Sequence, residues 1–147
     1  RKLRALIRTP LLMTEHVHPM ELKVPFITGG GTDFVRANPN FDLGITGVMK
    51  IAHMAEAFGL DVELHGAGPA QRQCMAAIRN TNYYEVTLVA PGVKGMMNPV
   101  YADYSDDVDA VSPDGTFPVP DGPGLGVTLD TGFLEAHRTG VEIFRRS

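Results

Sequence analysis

The feature that most constrains this chain is its repeated order of segments, in which short apolar stretches alternate with stretches of helical spacing. The segment from Leu60 to His65 alternates apolar and polar residues as a strand does, and it follows a segment with one apolar helical face. Strands that alternate with helices form parallel sheets, joined by right-handed crossovers. The sequence therefore predicts an α/β fold.

We predict four strands, each ending in a polar residue near a turn marked by glycine or proline. They run from Thr9 to Glu15, from Asp33 to Asn38, from Leu60 to His65 and from about Asn82 to Glu85. Helical segments are predicted between them, at Met20 to Phe26, Gly47 to Phe58 and Pro69 to Ala76. Thr46 is predicted to cap the second of these helices at its start, and Gly59 to end it.

Composition limits the class of protein. The chain has 147 residues, of which 44% are hydrophobic, and this is typical of one globular domain. A net charge of -4 without a basic patch argues against a nucleic-acid partner, and no apolar run is long enough to span a membrane. We therefore expect a cytoplasmic protein that binds a small molecule. The single Cys74 is expected to be buried rather than reactive.

The two parts of the chain differ in character. Residues 1–90 contain the strand and helix units, and we expect residues 91–147, which are rich in proline and glycine, to be an irregular tail packed on the first part. The stretch from Arg1 to Ile7 resembles the last turns of a helix. We therefore expect one domain over residues 1–147 that is part of a larger protein.

Polar residues at the ends of the predicted strands are candidates for a functional site. They are Glu15, Asn38, His65 and Glu85. Taken singly, a strand-end carboxylate is usually solvated and a lone histidine is usually structural, but the carboxyl ends of parallel strands meet at one rim. His16 could also line this pocket. The spacing of His16 and His18 is compatible with metal binding, although such a pair is common by chance.

Strand periodicity predicts which residues lie one layer below this rim. They are Met13, Arg36, Glu63 and Tyr83. Arg36 and Glu63 would then lie on neighbouring strands inside the fold. Because an unpaired buried charge is very costly, we predict that these two side chains form a buried ion pair.

The order of these motifs resembles that of a known family. The motifs are Glu15, Asp33-Phe34-Val35-Arg36-Ala37-Asn38, Gly44-Ile45-Thr46-Gly47, His65-Gly66, Tyr83-Tyr84-Glu85 and Pro120-Asp121-Gly122-Pro123-Gly124-Leu125-Gly126. The succession is similar to the C-terminal part of the enolase superfamily, in the branch of mandelate racemase and muconate lactonizing enzyme that includes acid-sugar dehydratases. The resemblance spans nearly the whole chain.

The resemblance implies a fold and roles for the site residues. It implies the C-terminal half of a modified TIM barrel, strands five to eight, with a tail, in a protein that binds one Mg²⁺. Glu15 matches the third metal-binding carboxylate, His65 the general base or acid, and Glu85 the acid that binds the substrate carboxylate. Asn38 stands where the family usually has an aspartate that orients the histidine, and the other metal ligands would precede Arg1.

The function expected from this resemblance is dehydration of an acid sugar. The enzyme would remove the proton alpha to the carboxylate and expel water, giving a 2-keto-3-deoxy acid. A racemase or epimerase of the same superfamily is an alternative, and so is a catalytically silent fragment that needs a partner half. We expect the fragment alone to be inactive and to form homo-oligomers, because a half barrel exposes open strand edges.

Overall fold

A computed structural model describes residues 1–86 and 100–145. The elements of the first range are α1 (Lys2–Leu6), β1 (Leu12–Met13), a 3₁₀ helix (Met20–Lys23), α2 (Val24–Thr28), β2 (Phe34–Ala37), α3 (Gly44–Ala57), β3 (Asp61–Leu64) and α4 (Pro69–Ala77). The second range contains a 3₁₀ helix (Val108–Ala110) and α5 (Thr131–His137).

The three strands form one parallel sheet in the order β1, β2, β3. Each strand is shorter than its predicted range, but β2 and β3 lie within the predicted segments and α3 connects them. The predicted α/β class and parallel pairing are therefore confirmed. No helix within residues 1–86 and 100–145 is long and apolar enough to cross a membrane.

The core lies between the sheet and α3. Val35 of β2 and Val62 of β3 are fully buried, and so are Val48 and Ile51 on α3. The apolar residues of α3 recur at helical spacing, so that one side of this 14-residue helix covers the sheet. Burial of such side chains stabilises the fold by about 1.5–3 kcal/mol each.

The start of α3 differs from the prediction. The helix begins at Gly44, so Thr46 lies in its first turn rather than at its cap. Leu43 occupies the cap position in a left-handed conformation, with φ of 61°, and provides no side-chain hydrogen bond. The expected end is confirmed, because Gly59 follows the helix with φ of 69°, where glycine is favoured.

The predicted fourth strand is wrong, since residues 81–86 do not join the sheet. The backbone N–H of Tyr83 donates to the Glu63 carboxylate at 3.2 Å, and the side chain of Asn82 donates to Glu63 and Asp61. The backbone N–H of Tyr83 thus bonds to a side chain of β3, whereas in a further strand it would bond to a backbone carbonyl oxygen of β3.

The predicted layer below the rim is partly correct. Arg36 and Glu63 are register partners on β2 and β3, but Met13 pairs with Val35 and therefore lies on the opposite face. The predicted ion pair is wrong: among the ion pairs formed within residues 1–86 and 100–145, none joins Arg36 to Glu63. The Arg36 side chain is long enough to extend to the rim, where it meets other carboxylates.

Part of the predicted tail packs against α4 through Arg72, which is 5% exposed. Its guanidinium donates to the Asp106 carboxylate from Nε at 3.2 Å and from Nη2 at 2.5 Å, and to the carbonyl oxygen of Pro118 at 3.0 Å. The rings of Tyr104 and Phe117 lie 4.4 and 4.5 Å from its central carbon. We call this group the tail clamp; residues 91–99 of the predicted tail lie outside the described ranges.

Candidate active site

Three of the predicted site residues lie together at the carboxyl ends of the strands. Glu15 follows β1, His65 follows β3 and Glu85 lies in the segment after α4. The Nδ1 atom of His65 is 3.0 Å from Oε1 of Glu85, and its Nε2 atom is 3.5 Å from Oε1 of Glu15. A half-buried imidazole therefore lies between two carboxylates, an arrangement suited to proton transfer.

Arg36 is a fourth member of this site and was predicted only as part of a deeper ion pair. Its Nη2 donates to Oε2 of Glu85 and lies 3.0 Å from Nδ1 of His65, and its Nε is 3.7 Å from Oε2 of Glu15. Burial lowers the pKa of the guanidinium, while the charges of Glu15 and Glu63 oppose this effect. An arginine keeps its charge under these conditions, so Arg36 is a permanent cation at the centre of the site.

The hydrogen bonds of Asn38 lie within its own turn and do not reach the ring of His65. Its side-chain oxygen accepts a hydrogen bond from the backbone N–H of Asn40 at 2.9 Å, and the backbone N–H of Asn38 donates to the Asp42 carboxylate at 2.9 Å. No hydrogen bond within the two described ranges joins Asn38 to the imidazole. The side chain of Asn38 instead stabilises the turn that leads into α3.

The two other candidate histidines lie at the edge of the site. The His16 side chain is 83% exposed and its Nε2 is 3.3 Å from Oε1 of Glu15. His18 turns away, because its Nδ1 is 2.7 Å from the buried carboxylate of Asp42. The two histidines are therefore not arranged as a pair of metal ligands.

Sequence reasoning missed a buried cation beside the site, Lys23. It is 0% exposed, and its Nζ donates to the carbonyl oxygens of Thr14 at 2.8 Å and Arg36 at 3.2 Å. The carboxylate of Asp42 lies 3.4 Å from the same atom. Thr14 directly precedes Glu15 and has φ of 82°, so the lysine stabilises the turn that presents that carboxylate. The sequence carried a weak signal, a single lysine within an otherwise apolar segment.

A cavity of about 450 Å³ lies on the same face of the sheet. Its walls include apolar side chains of β1 and β2, and its charged lining residues are Arg36, Glu63 and Glu85. An apolar cavity with a few convergent polar groups is the usual form of a small-molecule site.

The fold and this site define an α/β domain of the enzyme superfamily that the sequence resembles. Residues 1–132 match the family described as Enolase C-terminal domain-like, so the chain belongs to that family. Members similar to this chain include named dehydratases and proteins of the mandelate racemase and muconate lactonizing enzyme group, and the predicted resemblance is confirmed.

The most informative relatives are two sugar-acid dehydratases. D-gluconate dehydratase of Thermoproteus tenax is 27% identical over 142 residues, which cover 94% of this chain and 27% of that protein. The crystal structure of D-glucarate dehydratase from Agrobacterium tumefaciens, complexed with magnesium, is 28% identical with a TM-score of 0.82, and covers 95% of this chain and 36% of that one.

A third similar structure supports the fold alone. It is an enolase from Agrobacterium radiobacter, bound to sodium and L-malate, that is 22% identical with a TM-score of 0.70 and covers 99% of this chain and 39% of its own. The chain thus spans between 27% and 39% of the length of these relatives.

The described residues do not form a complete metal site. No group of three or more histidine, cysteine, aspartate or glutamate residues in ranges 1–86 and 100–145 could hold a metal ion. Glu15 offers hard oxygen ligands of the kind Mg²⁺ prefers, but one carboxylate is insufficient. The guanidinium of Arg36, 3.7 Å from Glu15, also offsets part of the negative charge that would attract a metal ion. We therefore derive the chemistry of this site from its own side chains.

Proposed function

We propose that this chain is the C-terminal part of the barrel of an acid-sugar dehydratase. The observation that carries the proposal is the position of His65, 3.0 Å from one carboxylate and 3.5 Å from another at the carboxyl ends of the strands. The two dehydratases of gluconate and glucarate, similar over 94% and 95% of this chain, support a sugar acid as the substrate class.

The reaction that fits this geometry begins at the carbon next to the substrate carboxylate. His65 takes the proton from that carbon, and the electron pair moves onto the carboxylate to give an enediolate. The bond to the neighbouring hydroxyl then breaks, and the proton held by the imidazole leaves with that oxygen as water. The resulting enol converts to a 2-keto-3-deoxy acid. A histidine is suited to both steps because its imidazole can accept a proton and give it back.

We assign three further roles within this proposal. Glu85 contributes to binding of the substrate carboxylate or orients the ring of His65, and the exposed His16 beside Glu15 is a second substrate-binding residue. Glu15 would be one ligand of a magnesium ion, and the other ligands would lie outside the described residues. When bound, that ion would stabilise the negative charge of the enediolate.

The test is turnover of a sugar-acid panel that includes gluconate, glucarate and galactarate. The assay uses the longest form of the protein that contains this chain, with Mg²⁺, and detects 2-keto acid with semicarbazide. We expect His65→Ala to lose about 10²–10⁴-fold in turnover. His53→Ala is the matched control, because His53 is exposed on α3 away from the site, and it should retain full activity.

Two other results would each point elsewhere. Exchange of the alpha proton with deuterated solvent, without keto acid, would replace the dehydratase with a racemase or epimerase. If a folded protein with bound Mg²⁺ gives neither exchange nor keto acid with any of the sugar acids, the site is catalytically silent.

A further inference from the structure

Glu85 reaches the active site from a segment that no strand holds in place. The sheet consists of β1, β2 and β3, and among the backbone hydrogen bonds formed within residues 1–86 and 100–145 none involves Glu85. Its carboxylate nevertheless accepts a hydrogen bond from Arg36, and its Oε1 atom lies 3.0 Å from Nδ1 of His65. A side chain that is placed so closely without a ladder of backbone bonds must be anchored through its neighbours in the chain.

Tyr84, the residue before Glu85, supplies such an anchor through its hydroxyl group. The hydroxyl oxygen accepts a hydrogen bond from the backbone N–H of Gly68 at 2.7 Å. The same hydroxyl donates to Oδ1 of Asp106 at 2.6 Å. A tyrosine hydroxyl has one proton to donate and can also accept, so both bonds can exist together. The side chain of Asp106 is 2% exposed, and water therefore does not compete for this bond.

The bond to Gly68 connects the two segments that carry the site. Gly68 lies in the loop between His65, which follows β3, and the start of α4. The backbone of His65 is held independently of this loop, because its N–H donates to the carbonyl oxygen of Ala37 on β2 at 2.8 Å. The position of Glu85 relative to His65 therefore depends on Tyr84, whereas the position of His65 in the sheet does not.

The tail clamp does not need the hydroxyl of Tyr84 in the same way. Oδ1 of Asp106 also accepts hydrogen bonds from the guanidinium of Arg72 and from the hydroxyl of Tyr104 at 3.0 Å. The hydroxyl of Tyr84 is thus one of several donors to Asp106. Toward the loop after His65, it is the group by which the segment that carries Glu85 is bonded to Gly68.

We propose that Tyr84 is a positioning residue, whose hydroxyl group holds Glu85 beside His65 and links the tail clamp to the active site. Tyr84 acts through Glu85, so its loss should matter for the reaction only as far as Glu85 does. The effect on turnover rests on the proposed function. The anchor itself can be measured without turnover.

The first measurement is amide hydrogen exchange of Tyr84→Phe, followed by mass spectrometry in the longest form of the protein that contains this chain. Exchange at Gly68 should be about fivefold faster, because its hydrogen bond is lost. Exchange at Tyr83, whose N–H donates to Glu63, should rise with it as the segment loosens. Peptides from the buried side of α3 should exchange as in the wild type, which separates a local release from a general loss of stability.

Tyr104→Phe is the matched control for these exchange rates. It removes a hydroxyl that donates to the same carboxylate oxygen of Asp106, but it leaves the bond between Tyr84 and Gly68 in place. Exchange at Gly68 and at Tyr83 should therefore stay at the wild-type rate.

The second measurement is a double-mutant cycle on the formation of 2-keto acid. Tyr84→Phe should lower turnover by about 10- to 100-fold, because displacement of a group in the site is costly. In a protein that already carries Glu85→Gln, the same substitution should lower turnover by less than about twofold, since the group that Tyr84 positions is then lost. A merely structural role of Tyr84 would reduce turnover by the same factor in both proteins.

Three results would overturn the inference. They are unchanged exchange at Gly68 and Tyr83 in Tyr84→Phe, faster exchange at these amides in Tyr104→Phe, and equal losses of turnover with and without Glu85→Gln. If Tyr84→Phe fails to fold, the wild type decides, because a Gly68 amide that exchanges as fast as in an unfolded peptide would contradict the anchor and a protected one would support it. A wild type that makes no keto acid, together with the expected exchange rates, would support the anchor and contradict the proposed function.

Discussion

Replacement of Lys23 by methionine tests how much the buried cation contributes to the fold. The substitution keeps an unbranched apolar chain of similar length but removes an ammonium group that contacts two carbonyl oxygens and the Asp42 carboxylate. Removing one partner of a buried ion pair costs about 3–5 kcal/mol. Asp42 still has the ring of His18 at 2.7 Å and the N–H of Asn38 at 2.9 Å, so we expect the lower end, about 3 kcal/mol.

The assay is urea unfolding followed by far-ultraviolet circular dichroism. With a slope of about 2 kcal/mol/M, the loss corresponds to a midpoint lower by about 1.5 M. Lys50→Met is the matched control, because Lys50 is exposed on α3, and its effect should stay within about 0.5 kcal/mol. A Lys23→Met protein as stable as the control would refute the assigned contribution of the buried cation.

The dependence on pH gives a second measure of the same site. Burial lowers the pKa of Lys23 from its ordinary value of 10.5. Between the lowered pKa and 10.5 the unfolded chain binds more protons at this residue than the folded chain does. Stability contributed by Lys23 therefore rises with pH across that interval. The difference in unfolding free energy between wild type and Lys23→Met should widen as pH rises there, and a constant difference would contradict the lowered pKa.

Two further substitutions test the start of α3 and the tail clamp. Leu43 is 85% exposed with φ of 61°, so Leu43→Gly should relieve strain and stabilise the protein by about 1 kcal/mol in urea unfolding, whereas Leu43→Ala, which keeps the strain, should bring no gain. Arg72→Met should cost about 4 kcal/mol, because it leaves the Asp106 carboxylate buried, and limited proteolysis should then cleave the tail. A tail that stays protected in Arg72→Met would show that other contacts hold it.

The sequence predicted those parts of the fold that follow from periodicity. The strand-like alternation before His65 and the apolar face of α3 each correspond to an element, and the rule that parallel strands end at one rim correctly brought Glu15 and His65 together. Glu85 lies beside His65 although it is not on a strand. These features depend on backbone direction and on which side of an element is apolar. Both can be inferred from one sequence.

Features that depend on the reach of a single side chain were not predictable in the same way. The register placed Arg36 beside Glu63, but the length of arginine lets its charge meet Glu85 instead. The predicted fourth strand does not form, and the backbone N–H of Tyr83 donates instead to the Glu63 carboxylate. The local sequence carried only a weak signal for the burial of Lys23, because its partners Thr14, Arg36 and Asp42 lie elsewhere along the chain. Alternation of apolar and polar residues predicts which face of the sheet a side chain lies on, but it does not predict which residue that side chain will contact there.

The tail clamp also has a consequence for the order in which the chain folds. Its bonds from Arg72 to Asp106 and to Pro118 join residues 34 and 46 positions apart. Closing longer loops costs more entropy, so contacts between neighbouring strand and helix units form earlier than these. We therefore expect the sheet and α3 to assemble first and the guanidinium to engage last. Contacts that form after the folding barrier act mainly by slowing escape from the native state, so the tail would contribute to the lifetime of the fold more than to its speed of formation.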